Sequence, residues 1–209
     1  MPRPRGALAL ALALLALPLG AQGLGALAEA QKRYAEGRYE EARQACLEEL
    51  RRDPAQVEAY VLLAWSLIGL ERYADAENYA LKGYELRRDP RLTESLGEAA
   101  FHLGRNEAAL RNFQNYVMAV PEGGRVGLAY YYMGETYLRL ARFAHADIAL
   151  TAALQYSPGN ARWWTRLGWA REKAGDSAQA AQAYARALAI DPRLEDALAG
   201  KARVQARSR

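Results

Sequence analysis

Residues 161–192 read ARWWTRLGWAREKAGDSAQAAQAYARALAIDP, and the spacing of small and large side chains within them decides the fold. Gly168, Gly175, Ala180 and Ala187 recur between Trp164, Leu167, Tyr184 and Leu188. Apolar residues three and four apart share one side of a helix, so the pattern describes two amphipathic helices that meet closely at the small positions. Gly175 separates them as the turn, and Asp176 or Ser177 is available to cap the second. Asp191-Pro192 ends the unit, because proline disfavours helical geometry in the residue before it. Neither helix alone has enough apolar surface to stand free, so the hairpin requires neighbours built like it.

Working outward, those neighbours are present. The small residue of each first helix recurs as Ala30, Ala64, Gly97, Gly134, Gly168 and Ala202, spaced by 34, 33, 37, 34 and 34 residues. The unit before the opening stretch shows Tyr130, Met133, Gly134, Tyr137, Ala146, Leu150 and Pro158 in the same places. The first unit sets Leu27, Ala30 and Tyr34 on a helix over 24–36, turns at Gly37-Arg38-Tyr39, and closes at Asp53-Pro54. In the second, Tyr60, Leu63, Ala64 and Leu67 oppose Tyr73, Ala76 and Ala80, and Glu71 stands at the bend where glycine is usual, which predicts a different cap there. The third keeps Leu96-Gly97, Gly104, Ala109 and Phe113 but has Asn106 in place of the aromatic after the turn. Pro121-Glu122-Gly123-Gly124-Arg125-Val126-Gly127 then lengthens the period by three residues and reads as a looped joint between halves rather than a domain boundary.

The period, with Trp164-x-x-Leu167-Gly168, Ala180-x-x-x-Tyr184 and Pro192, resembles the tetratricopeptide repeat over roughly residues 24–209. The resemblance implies an all-α solenoid of about five helix-turn-helix hairpins, at about 24–56, 57–89, 90–126, 127–160 and 161–194. A capping helix over 195–207 follows, with Leu194, Ala197, Leu198 and Val204 shielding the open end of the stack. It also implies a scaffold with a concave groove lined by the first helix of each hairpin. On this chain that lining is Leu27, Gln31 and Tyr34, then Glu58, Val61, Trp65 and Ile68, then Arg91, Glu94, Glu98 and Phe101 beside His102. Leu128, Tyr131, Glu135, Leu138 and Arg139 continue it, followed by Arg162, Thr165, Trp169, Glu172 and Lys173.

The candidate partner-binding residues are Tyr34, Trp65, Glu94, Glu98, Phe101, Tyr131, Glu135, Arg139, Arg162, Trp169 and Lys173. Each repeat contributes one aromatic, interleaved with charges of both signs, and aromatics on an open face are enriched where proteins meet. The expected partner is an extended peptide or a helix of another protein. Chaperone-binding members of the family grip a C-terminal carboxylate with a Lys and Asn clamp. The corresponding positions here are Gln31, Trp65, Glu98, Glu135 and Trp169, so that clamp is absent. The second reading is a small-ligand module for a sugar or an apolar solute, associated with transport.

The chain opens MPRPRGALALALALLALPLGAQGLG, with Arg3 and Arg5 ahead of an apolar run and small residues after Pro18. That is the layout of a secretory signal peptide over residues 1–21, cleaved after Ala21 or Gly23. The run is shorter than the roughly 20 residues of a spanning helix, so contact with the membrane is expected only in transit. No cysteine stands at the cleavage point and Cys46 lies too far downstream, so lipid attachment there is not expected. The expected destination is the periplasm or the outside of the cell.

The whole chain carries 28 Lys+Arg against 24 Asp+Glu. Without Arg3 and Arg5 the balance falls to +2, too little for general attraction to nucleic acid or anionic lipid. Cys46 is the sole cysteine and reads as a buried thiol. His102 and His145 lie in different repeats with no second metal ligand at helical spacing, and no phosphate loop or serine elbow is present. No cofactor, no metal and no catalysis are therefore expected.

Overall fold

A computed structural model describes residues 19–207, with side chains over 25–206. Among them every regular element is a helix. The order is α1 (Leu19–Ala35), α2 (Tyr39–Arg52), α3 (Val57–Gly69), α4 (Tyr73–Leu86), α5 (Pro90–His102), α6 (Asn106–Ala119), α7 (Val126–Arg139), α8 (Phe143–Tyr156), α9 (Ala161–Ala174), α10 (Ser177–Ile190) and α11 (Glu195–Arg207). These are five antiparallel hairpins and a final helix, the solenoid that the repeat period predicts. The proposed signal segment 1–18 lies outside the described residues, and both expected cleavage points fall inside α1.

All five hairpins bend the same way. Gly37, Gly104 and Gly175 take left-handed backbone with φ of 75°, 74° and 90°, and so do Glu71 at 59° and Ala141 at 54°. The next residue donates its N–H five residues back, as in Arg72 to Leu67 and Asp176 to Arg171, both about 2.9 Å or shorter. The different cap expected at Glu71 is thus corrected: the hydrogen bonds of this turn impose one geometry, and glutamate adopts it despite its Cβ. Ala141 does likewise, which no turn residue in the sequence signals.

Helix starts follow the capping chemistry where a short polar side chain is available. Asp89, Asn160 and Asp176 accept from the backbone N–H groups of Arg91, Trp163 and Gln179. Between helices the small positions do what their size allows. A Cβ on Gly168 would lie 2.7 Å from Tyr184 Cδ1, so only glycine lets α9 settle on the ring of Tyr184, which is buried. Gly97 against Phe113 repeats the arrangement two hairpins earlier.

Two boundaries and one inner-side assignment differ from the sequence reading. α1 begins at Leu19, five residues early, because 19–24 contains no proline to interrupt it. The joint is shorter than 121–127, since Val126 and Gly127 already belong to α7, with Gly127 seated against Tyr156. Leu198, assigned to the inner side of α11, is exposed; Ala197 and Val204 are buried and do the covering.

The first helices of neighbouring hairpins pack on one another along the whole chain, α1 on α3, α3 on α5, α5 on α7, α7 on α9 and α9 on α11. The backbones of the second helices do not meet each other among the described residues. Close first helices and splayed second helices make the stack curve, with the first helices on the inside. No helix among the described residues is long and apolar enough to cross a membrane.

A left-handed φ costs an L residue about 1–2 kcal/mol that glycine does not incur. Ala141→Gly is therefore expected to stabilise the fold by about 0.5–1 kcal/mol after glycine's extra chain entropy is allowed for. Urea denaturation checks this; an unchanged or lowered midpoint contradicts the turn account.

Candidate functional site

The inner face is built from first-helix side chains, and burial divides the expected lining into three groups. Gln31, His102, Arg139, Arg162 and Lys173 are exposed. Tyr34, Glu58, Trp65, Ile68, Arg91, Leu128, Tyr131, Glu135 and Trp169 are half-buried, each with part of its surface open. Leu27, Val61, Glu94, Glu98, Phe101, Leu138, Thr165 and Glu172 are buried. The expectation of an open lining is corrected for Glu94, Glu98 and Phe101. Adjacent first helices pack so closely that residues facing the next repeat are covered by it.

What covers the carboxylates is a series of arginines reaching back from the following repeat. Arg91 holds Glu58 through two hydrogen bonds of 3.0 and 2.8 Å. Arg166 holds Glu135 the same way at 2.6 and 2.7 Å, and Arg203 holds Glu172 at 3.0 Å twice. Between these, Arg125 Nη2 lies 2.8 Å from Glu94 and 2.5 Å from Glu98. Every step from α3 to α11 thus carries one carboxylate-to-guanidinium rung, and three of the four are bidentate, the geometry in which arginine pairs best.

The Arg125 rung is the most buried and the least well satisfied. Tyr132 donates to Glu98 at 2.8 Å, yet neither oxygen of Glu94 receives a well-directed hydrogen bond among the described residues. Trp65 Nε1 and Arg125 Nε are likewise buried without a well-directed hydrogen bond, although the Trp65 indole lies close enough to Glu94 to pull its carboxyl down. Burial pushes the Glu94 carboxyl up to about 7, against the lowering pull of Arg125 and with a further raising contribution from Glu98. Arg125 comes from the Pro/Gly-rich joint, so this rung fastens the joint to α5.

Rings and cations cover the rest of the face. Tyr34 lies 5.8 Å from Trp65, and Tyr131 stacks on Trp163 at 4.9 Å and 10°. Arg166 lies 4.7 Å over Trp169, with Lys173 at 5.7 Å from the same ring. Arg139 sits 3.6 Å over Phe101 and donates to its carbonyl oxygen at 2.6 Å. Toward the C-terminal end a hollow of about 530 Å³ opens between Tyr131, Arg162, Thr165, Arg166, Arg193 and the acidic start of α11. It brings the candidate residues Tyr131 and Arg162 to one wall.

Sequence reasoning missed Arg125, Tyr132, Trp163, Arg166 and Arg203. A signal was available for Arg166 and Tyr132, which stand two residues before the small position of their helices. Arg125 carries none, because it belongs to an irregular connector. Elsewhere the reading of Cys46 is matched: the thiol is fully buried and desolvation pushes it up to about 12, leaving it unreactive. Among the described residues no three His, Cys, Asp or Glu side chains are placed to hold a metal ion.

Two tetratricopeptide repeat family models match, one over residues 24–131 and the other over 131–195. The chain belongs to the tetratricopeptide repeat family. Among curated proteins it is 32% identical over 106 residues to the Hsp70-Hsp90 organizing protein of Triticum aestivum, a match covering 51% of this chain and 18% of that one. The chain therefore spans less than a fifth of that relative. MamA from Desulfovibrio magneticus RS-1 is similar in structure, with a TM-score of 0.71 at 20% identity over 85% of this chain and 99% of that one. PilF of Pseudomonas aeruginosa gives 0.77 at 15% identity, covering 88% and 83%. YrrB, a TPR protein with an unusual peptide-binding site, gives 0.68 at 19% identity, covering 86% and 91%. At these identities the structural likeness speaks to the fold alone.

A carboxyl raised above its unfolded value favours the fold while protonated, and that contribution is lost as pH rises from 4.5 through about 7. Glu94→Gln, which stays neutral, is expected to abolish about 3 kcal/mol of this pH-dependent loss. Urea unfolding at pH 4.5 and pH 8 checks it. Parallel pH dependence in wild type and variant contradicts the assignment.

Proposed function

We propose that this chain is a non-catalytic scaffold whose inner face holds a segment of another protein, and that it works outside the cytoplasm in assembling envelope structures. The observation that carries the reading is the pair Trp65 and Trp169, at equivalent positions of the second and fifth repeats and each half-exposed on the inner face. Large rings left partly open beside cations are the usual anchors of protein recognition. The peptide-binding site of YrrB and the organizing role named for the wheat protein support a protein partner. The Arg3 and Arg5 start, the apolar run and the small residues after it support export.

A sugar or apolar solute is the weaker match. The C-terminal hollow has Arg162, Arg166 and Arg193 facing Asp191, Glu195 and Asp196, a wall suited to a polypeptide with charged side chains rather than to an apolar molecule. Recognition here combines ring anchors with charge registration, and nothing in it calls for nucleic acid.

Replacing Trp65 and Trp169 together by alanine is expected to leave the helical circular dichroism intact and to remove capture of partner proteins from an envelope extract. Loss of about 2 kcal/mol or more per anchor is typical of such sites. Undiminished capture contradicts the assignment of this face. For export, the mass of the protein recovered from the periplasm or medium is expected to correspond to an N-terminus at Gln22 or Leu24; a cytoplasmic full-length product contradicts it.

A further inference from the structure

The rungs between repeats pair off the carboxylates of the first helices from α3 to α9. Each groove carboxylate from Glu58 to Glu172 already has its arginine. Arg139 and Lys173 face no carboxylate at ion-pair distance among the described residues, although both are exposed. The sequence shows both signs along this face, but the structure pairs Glu58, Glu94, Glu135 and Glu172 internally.

These two cations share a register with His102. Each stands five residues after the small residue that seats its helix, Gly97, Gly134 and Gly168, in three successive repeats. Each also rests on an aromatic ring. His102 stacks on Tyr73 at 4.2 Å and 4°, Arg139 on Phe101 at 3.6 Å, and Lys173 lies 5.7 Å from Trp169. A ring beneath a cation attracts it and limits its wandering, so the heads form a row at the hairpin edge of the face. Partial desolvation under Tyr73 holds the otherwise exposed His102 below its ordinary range, against the opposing pull of Glu98 and Glu71, and Arg139 pushes it the same way. At neutral pH it offers an N–H rather than a charge. Glu71 near His102 and Glu195 and Asp196 beside Arg162 flank the row without entering it.

We propose that this row takes an acidic segment of the partner protein, laid extended along the hairpin edge with its carboxylates about three residues apart. The proposal rests on the reading of the inner face given above and adds the partner's chemistry. Neighbouring packed helices lie about 10 Å apart. An extended chain advances about 3.3 Å per residue, so every third side chain meets the next repeat. Such a segment is an internal acidic stretch, since no clamp for a terminal carboxylate is present.

The test is selection of a displayed random decapeptide library on the full chain, compared with the Arg139→Glu/Lys173→Glu double variant. Both positions are exposed, and a thermal melt verifies the variant's fold. Wild type is expected to enrich peptides of net negative charge, with Asp or Glu three apart. The variant is expected to lose that preference by about tenfold, the scale of a change in charge complementarity at an interface. Neutral or basic peptides enriched equally by both proteins overturn the acidic partner while leaving a binding face in place. No enrichment by wild type overturns both.

Discussion

The structure depends on one recurring interaction, an arginine that reaches back to a carboxylate on the preceding first helix at every step from α3 to α11. Apolar packing brings the helices together, but packing of alanine and glycine against large rings fixes only distance. The rungs Glu58–Arg91, Glu135–Arg166 and Glu172–Arg203 fix the rotation of one repeat on the next, because a bidentate pair tolerates little displacement. The same rungs set the electrostatics of the inner face, by consuming carboxylates that an unpaired count would assign to ligand binding. The side chains that hold one repeat on the next thus also set the charge pattern of the inner face.

The central rung is different in kind. Arg125 comes from the joint rather than from a helix interior and serves two carboxylates, one of them fully buried. A buried carboxylate paired this poorly gives little net stability. Its consequence is positional: it ties the irregular 120s segment to α5 and so determines how the first three repeats meet the last two. Trp65 and Tyr34 lie against this cluster, with Arg125 5.7 Å from the Trp65 ring, which links the joint to the aromatic side of the face.

Much of the fold was legible in the sequence. A fixed period, glycine at Gly37, Gly104 and Gly175, and Asp-Pro stops are local signals, and the helices fall where those signals place them. Ala141 and Glu71 show the limit, since hydrogen bonding of the hairpin imposes their backbone whatever the side chain. The candidate site was legible only in outline. Helical spacing identifies which side of a helix Glu94 or Phe101 occupies, but not how closely the next helix approaches that side. Pairings such as Glu172 with Arg203 join residues 31 apart in sequence, and a periodic pattern locates both without showing that they touch.

The rungs imply that neighbouring repeats are coupled through defined charge pairs and not by apolar contact alone. A double-mutant cycle on Glu135→Gln and Arg166→Gln, followed by urea denaturation, measures that coupling directly. A half-buried bidentate pair predicts an interaction energy of about 1 kcal/mol. Additive effects of the two substitutions, within error, contradict the claim that these rungs set how one repeat sits on the next.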